Sequence, residues 1–177
     1  MKIGVFGALI VGVVFINPEI QFPALTQFIH GGGPVLGGPV WPFISITIAC
    51  GAISGFHAFI GSGTTPKLVD KWSDILPVAF GAMLAECVVG VMALIAATAL
   101  HPADYFAINS APAAFAKLGM NVVDLPYLSK EIGLDLYGRT GGAVTLAVGM
   151  SYIFTKVSWF SSLASYFFQF VVMFEAV

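Results

Sequence analysis

The run ILPVAFGAMLAECVVGVMALIAATAL, from Ile75 to Leu100, decides how this chain folds. An α-helix rises about 1.5 Å per residue, so roughly 20 apolar residues cross the hydrocarbon core of a bilayer, and this run supplies them. Glu86 lies near its centre and is its only charged residue. Because a charge at that depth is costly, such a side chain usually faces a polar pathway or a partner inside the protein. The run therefore indicates a membrane protein that moves a polar solute.

The composition of the whole chain argues against a water-facing globular domain. Only 9% of the 177 residues are charged, whereas a soluble domain carries about 25%. The formal net charge is −2, and the few basic residues are scattered, so nucleic-acid binding is not expected. Cys50 and Cys87 both lie in apolar runs, which predicts reduced thiols that pack as small side chains rather than a disulfide framework or a metal site.

Five apolar segments are predicted to enter the membrane. Gly- and Pro-rich or polar connections separate them, notably the loop from Asn17 to Pro39 and the link from Gly61 to Asp74. Residues 101–140 are mixed in composition and are predicted to be a long loop, with an amphipathic helix near Ala111–Leu118. The predicted membrane segments are residues 3–16, 40–60, 75–100, 141–155 and 157–177. The segment 141–155 is short for a full crossing, so it is predicted to be re-entrant or broken.

The predicted fold class is all-α: a partial polytopic transmembrane helical bundle of about four to five membrane segments, with Gly/Pro-broken helices, in one partial domain over residues 1–177. The N-terminal MKIGVFGALIVGVVF resembles a signal peptide but lacks a small-x-small cleavage site, and residues 157–177 are still strongly apolar. We therefore expect a fragment of a longer protein, whose remaining transmembrane helices complete the bundle. Interrupted apolar regions at 31–60 and 138–155 are typical of the binding sites of secondary transporters.

The lysines predict the orientation of these segments. Lys2 and the pair Lys67 and Lys71 are expected on the cytoplasmic side, because basic residues are retained there. The loop 17–39 has no Lys or Arg and is expected outside. Residues 101–140 are placed outside only because the crossings alternate.

Several strings resemble the signature of the carbon starvation protein A family. They cover most of the chain from Trp41 onward, in the family's order: ITIACGAISGFHAFIGSGTTPK (46–67), FGAMLAECVVGVMALIAA (80–97), DYFAIN (104–109) and GRTGGAVTLAVGMSYIF (138–154). The resemblance implies a multi-pass protein of the bacterial inner membrane that takes up solutes. It also implies either peptide uptake, induced on carbon starvation, or proton-coupled pyruvate import.

Glu86 is the leading candidate for coupling to protons. Depth in the membrane favours its neutral form, so a carboxyl poised to gain and lose a proton could link solute movement to a proton gradient. Ala82 and Gly90 lie four residues to either side and give that helical face a small profile. The alternative is a structural carboxyl that is bonded to backbone or to a neighbouring hydroxyl.

Small residues and a histidine mark the predicted span 40–60. Thr47, Gly51 and Gly55 recur every four residues, a spacing that favours either helix packing or the close passage of a solute. His57 lies near the predicted cytoplasmic end of this span, where it could relay protons or bind a carboxylate, or could simply be hydrogen-bonded at an interface.

Two further stretches could bind an anionic solute. Thr64 and Thr65 lie in the flexible GSGTTPK link, either as part of a tight turn or as hydroxyls that hold an anion near a helix end. Arg139 precedes a glycine-broken segment and is suited to gripping a carboxylate with two hydrogen bonds, as pyruvate and peptides require. The alternative is an interfacial anchor or an ion pair with Asp135.

Enzymatic chemistry is not indicated. The chain lacks a Walker A loop, a GxSxG nucleophile elbow and an HExxH motif, and its three histidines show no metal-ligand spacing. No cofactor is predicted. The predicted function is secondary transport of a peptide or a small carboxylate such as pyruvate, with protons, in the lipid bilayer. The rival class is a membrane sensor or an assembly module.

Overall fold

A computed structural model describes residues 2–35, 37–52 and 55–156, together with residues 166, 170 and 171. Within these ranges, the side chains of residues 2–6, 8 and 55–57 are outside the description. All regular structure in the described part of the chain is helical. The predicted segment 157–177 lies outside the described residues except for those three positions.

Nine α-helices follow one another along the described ranges. They are α1 (Lys2–Ile16), α2 (Val40–Ala52), α3 (Gly55–Gly63), α4 (Thr65–Leu68), α5 (Trp72–Ala99), α6 (Pro102–Asn109), α7 (Pro112–Ala116), α8 (Leu125–Ile132) and α9 (Gly142–Thr155). Proline stands in the first turn of α6, α7 and α8, where its missing N–H costs no helical hydrogen bond. Gly133 ends α8 in the left-handed conformation (φ 76°), which glycine adopts without strain.

The helices belong to two compact units. The larger unit comprises residues 1–25 and 89–177, and the smaller comprises residues 26–88, so α5 contributes to both. In the larger unit, α6, α8 and α9 surround a core of fully buried side chains that includes Leu100, Ile108 and Leu128. A second buried cluster joins α1, the C-terminal part of α5 and α9 through Val13, Ala96 and similar side chains.

The contact between α5 and α9 is close. Gly149 of α9 has no room for a side chain, because a Cβ there would lie 2.6 Å from the carbonyl carbon of Ala96. Ala96, Ala99 and Ala147 are all fully buried around this contact. Small residues thus let the two backbones meet, which is the packing device common in membrane helices.

The smaller unit has little buried surface. No residue of α2 or α4 is buried. The loop before α2 folds back on itself: Val40 N donates to the carbonyl of Ile29 (3.3 Å), and Gly31 (φ 110°) approaches the backbone of Gly38. A side chain at Gly31 would be strained by the dihedral angle and would lie 3.1 Å from the Gly38 oxygen.

The helices match the predicted segments in part. The helical class is confirmed, and α5, with 28 residues, is long and apolar enough to cross a membrane. Among the described residues, α2 and α9 are shorter apolar helices, so the four to five membrane segments stay a prediction. The predicted span 40–60 covers α2 and the first six residues of α3, and residues 53 and 54 between them lie outside the description. Residues 101–140, predicted as a long loop, contain α6, α7 and α8, and α7 falls within the predicted amphipathic helix.

Candidate functional site

Glu86 occupies the middle of α5. Fourteen residues of the helix precede it and thirteen follow, so about 20 Å of helix extends on either side. Its side chain is exposed, and no hydrogen bond or ion pair to it is formed by the part of the chain that the structure describes. The carboxylate is therefore exposed on the surface of α5, halfway along an apolar helix.

The helix face around Glu86 is small and open. Ala82 and Gly90, one turn away on either side, are both exposed. A Cβ added at Gly90 would meet no atom within 4 Å. Together with Glu86 they form a narrow strip on which another helix backbone or a solute could come close to the carboxylate.

The predicted site residues on α2 and α3 either form a hydrogen bond within their own helix or border open space. Thr47 is exposed, and its hydroxyl donates to the carbonyl of Phe43 (3.0 Å), one turn earlier in α2. Gly51 has open space where a side chain would stand. Thr47 and Gly51 lie in α2 and Gly55 is the first described residue of α3, with residues 53 and 54 between them outside the description. His57 lies in α3, and its side chain is outside the described residues.

Thr65 lines a cleft in the smaller unit, whereas Thr64 does not. The Thr65 hydroxyl donates to the carbonyl of Ile60 (3.3 Å), and the residue borders a cavity of about 750 Å³ beside the start of α5. Thr64 precedes α4 without a side-chain cap. Glu86 does not line this cleft, so the structure does not bring Thr65 and Glu86 into one cavity.

Arg139 belongs to the larger unit and binds backbone rather than a carboxylate. Its Nε donates to the carbonyl oxygen of Asp135 (2.7 Å), which closes the turn before α9. The side chain is exposed, and no ion pair links it to Asp135 within the described ranges. Its other guanidinium nitrogens remain available to an anion.

A group of buried polar side chains in the larger unit was not predicted from the sequence. Its members are Asp104, Asn109, Ser110, Thr145 and Ser151. Asp104 is fully buried, and its two carboxylate oxygens accept the backbone N–H groups of Val123 (2.8 Å) and Asp124 (2.9 Å). These two bonds hold the turn that leads into α8, so this carboxylate serves the fold.

Asn109 and Thr145 join α6 to the first turn of α9. Asn109 Nδ2 donates to Thr145 Oγ1 (2.8 Å) and to the carbonyl of Tyr105 (3.1 Å). The Thr145 hydroxyl lies 3.0 Å from the carbonyl of Gly141, which it can donate to. The Asn109–Thr145 pair thus fixes the start of α9, which lies three residues after Arg139. Both partners lie in strings that carried the family resemblance, but only tertiary packing makes them neighbours.

Two phenols border this buried group. Burial raises the pKa of Tyr105 above its usual value. Burial, and then the negative charges of Asp104 and Asp135, raise the pKa of Tyr137. Both phenols therefore stay protonated near neutral pH and add no charge to the surroundings of Asp104.

The loop after α1 is tied to the same region by Gln21. Gln21 Nε2 donates to the Tyr152 hydroxyl (2.9 Å) and to the carbonyl of Ala99 (3.0 Å), and its backbone N donates to the Thr98 carbonyl (2.9 Å). One side chain thereby connects the loop to α9 and to the end of α5. The larger unit is thus held together by hydrogen bonds as well as by its apolar core.

Comparison with known proteins identifies relatives over the full chain. A family model described as "Carbon starvation protein CstA" matches residues 1–177. The "Peptide transporter CstA" of Bacillus subtilis (strain 168) is 79% identical over 177 residues, which is 100% of this chain and 30% of that protein. The "Peptide transporter CstA" of Escherichia coli (strain K12) is 39% identical over 196 residues, covering 100% of this chain and 28% of that protein.

A relative with a different name is similar over the same range. The "Pyruvate/proton symporter BtsT" of Escherichia coli (strain K12) is 38% identical over 213 residues, covering 100% of this chain and 30% of that protein. The chain spans about three tenths of the length of these curated relatives. No solved structure matches the chain.

Proposed function

The chain belongs to the carbon starvation protein CstA family, and from that premise we propose that it is part of a proton-coupled secondary transporter. The solute is a peptide or a small carboxylate such as pyruvate, and the site of action is the bacterial inner membrane, which the whole protein crosses several times. Relatives named as transporters over the whole of this chain support a transport function rather than an enzymatic one. Induction on carbon starvation belongs to the same proposal.

The observation that carries the proposal is the position of Glu86. A carboxylate near the centre of a membrane-spanning helix costs about 3 kcal/mol if it faces lipid. Glu86 is exposed halfway along α5, with no hydrogen-bond partner in the described part of the chain. The cost is avoided if its face of α5 borders a polar pathway, where the carboxyl can exchange protons with water.

The open strip around Glu86 supports the same role. Ala82 and Gly90 leave the carboxyl accessible to a solute or to a neighbouring helix of the full-length protein. In the proposed cycle Glu86 takes a proton from the outer side when solute binds and releases it to the cytoplasm when solute leaves. Protonated Glu86 is neutral and avoids the charge penalty while solute is carried. Each transported solute is therefore accompanied by a proton, which couples solute movement to the proton gradient.

The remaining candidates have supporting roles in this proposal. Arg139 has guanidinium nitrogens that can pair with the carboxylate that pyruvate and peptides share. The hydroxyls of Thr64 and Thr65, the small residues Thr47, Gly51 and Gly55, and His57 are proposed to border the pathway. A peptide and pyruvate remain alternatives, because relatives named for each are similar over the whole chain.

Glu86→Gln in the full-length protein tests this proposal. Proteoliposomes are given an inward proton gradient, and uptake of labelled pyruvate and of a labelled dipeptide is followed. We expect the variant to lose gradient-driven accumulation of the transported solute, while exchange of labelled for unlabelled solute continues. Exchange needs binding and movement but no net proton transfer, so this pattern separates coupling from general damage.

Asp74→Asn provides the matched control. Asp74 lies in the first turn of the same helix, and the substitution also replaces an acid by an amide. This variant should retain accumulation near that of the unaltered protein. Full gradient-driven accumulation by Glu86→Gln would refute the coupling role, and failure of the unaltered protein to accumulate either solute would favour the sensor or assembly alternative.

A further inference from the structure

The cleft beside the start of α5 has a polar end and an apolar wall. Its volume of about 750 Å³ lies within the range of small-molecule sites. Asp70 and Lys71 border the end that precedes α5, and Ile75 and Val78 line the wall within the first two turns of the helix. All of these residues belong to the smaller unit.

The position of the cleft along α5 decides what kind of molecule fits it. The apolar run of α5 begins at Ile75, so the wall lies where the helix enters hydrocarbon. Trp72 also lines the cleft and is 91% exposed, as is typical of side chains at the boundary between lipid and water. An occupant must therefore be amphipathic, with its polar part beside residues 70–71 and its apolar part along α5.

The polar end of the cleft carries one negatively and one positively charged side chain, which can pair with the two charges of a zwitterionic headgroup. Asp70 and Lys71 are both exposed, and neither forms an ion pair within the part of the chain that the structure describes. One acid and one base side by side match a headgroup that carries a negative and a positive charge. A headgroup with only a negative charge would satisfy Lys71 and be repelled by Asp70.

We propose that this cleft binds phosphatidylethanolamine. The lipid phosphate lies against the Lys71 ammonium, the lipid ammonium donates hydrogen bonds to the Asp70 carboxylate, and an acyl chain follows Ile75 and Val78. Phosphatidylcholine has the same charges, but its quaternary ammonium has no N–H to donate to Asp70. Phosphatidylglycerol has the phosphate and lacks the cation. The cleft therefore distinguishes three common headgroups by their chemistry.

Native mass spectrometry of the full-length protein tests the proposal. Detergent-purified protein is titrated separately with the three phospholipids of matched acyl chains, and bound lipid is counted. We expect tighter retention of phosphatidylethanolamine, and an approximately tenfold weaker retention of it in Asp70→Asn and in Lys71→Gln, because each removes a charge-assisted hydrogen bond.

Two substitutions in the flanking helices, at Lys67 of α4 and Asp74 of α5, serve as matched controls. Asp74→Asn and Lys67→Gln remove the same charges from residues that do not line the cleft. Both should leave lipid retention unchanged. Equal losses in all four variants would overturn the proposal, because they would reflect net charge alone. Equal retention of phosphatidylcholine by the unaltered protein would also overturn it.

Fluorescence gives a second readout that does not depend on mass spectrometry. Lipids brominated on the acyl chain quench nearby tryptophan, and Trp72→Phe isolates the contribution of Trp72. We expect the Trp72-dependent quenching to be stronger with brominated phosphatidylethanolamine than with brominated phosphatidylcholine. If another part of the full-length protein fills the cleft, Trp72 will not be quenched by either lipid, and the proposal fails.

Discussion

Glu86 and Asp104 are two carboxylates in contrasting surroundings, and we propose proton coupling for the first and a structural role for the second. Glu86 is exposed in the middle of α5 and has no hydrogen-bond donor among the described residues. Asp104 is fully buried, and both its oxygens accept backbone N–H groups. A buried carboxyl group whose two oxygens both accept backbone N–H groups is fixed in place, so we expect it to serve folding rather than transport.

Replacing Asp104 by Ala should destabilise the full-length protein. The N–H groups of Val123 and Asp124 would lose their acceptor in a buried place, at a cost of about 3 kcal/mol. Asp104→Asn keeps one acceptor oxygen and should lose less. Thermal unfolding in detergent provides the measurement, with a lowered Tm for Ala and an intermediate Tm for Asn.

Asp135→Ala is the control for that prediction. Asp135 also accepts a backbone N–H, that of Tyr137 (3.1 Å), but it is exposed, so water can replace it. Its loss should cost less than about 1 kcal/mol. Equal Tm shifts for Asp104→Ala and Asp135→Ala would show that the burial of Asp104 does not raise the stability cost of removing it.

The sequence reveals one of these two acids and conceals the other. Glu86 is evident because it is the only charged residue in the apolar run from Ile75 to Leu100. Asp104 lies in a mixed segment, and its burial arises from contacts with residues 123 and 124, which local patterns do not report. The same holds for the Asn109–Thr145 pair, whose members are 36 positions apart.

At the level of helices, the long apolar element was predicted from the sequence, and of the short helices between residues 101 and 140 only α7 was. The predicted span 75–100 agrees with α5, because a run of that length needs no tertiary information to be helical in a membrane. Helices α6, α7 and α8 have eight, five and eight residues. Helices this short are only marginally stable in isolation and depend on tertiary packing. This explains why residues 101–140 were predicted to be a long loop.

The contact between α5 and α9 gives a prediction at this scale. Gly149→Ala would place a methyl group against the Ala96 carbonyl, and because that atom belongs to a helix backbone, it cannot move aside cheaply. We expect a cost of about 2 kcal/mol, seen as a lowered Tm of the full-length protein in detergent.

Gly81→Ala is the matched control on α5, on a different face from the strip around Glu86. It is also a glycine within a helix, but a Cβ there meets no atom within 4 Å. This substitution should be neutral or stabilising by up to about 1 kcal/mol, because alanine favours helix. A Gly149→Ala variant as stable as Gly81→Ala would contradict the close approach of α5 and α9.

The arrangement of the whole molecule in the membrane depends on whether α2 and α3 together cross it. Their described parts have 13 and nine residues, about 20 Å and 14 Å, against a hydrocarbon core of about 30 Å, and residues 53 and 54 between them lie outside the description. If the pair crosses, Lys67 is cytoplasmic and Gln27 is outside. If it re-enters on one side, both residues face the same compartment.

Cysteine labelling of the full-length protein distinguishes these two arrangements. Native cysteines, including the exposed Cys50 and Cys87, are replaced by Ala, and single cysteines are placed at the exposed positions Gln27 and Lys67. A membrane-impermeant maleimide is added to intact cells and to inverted vesicles. We expect position 27 to react in cells and position 67 only in inverted vesicles, because the lysines 67 and 71 favour the cytoplasmic side. Reaction of both positions from one side would show that residues 40–60 do not span the membrane. Helix α5, with Glu86, would then be the first crossing after the re-entrant helices α2 and α3.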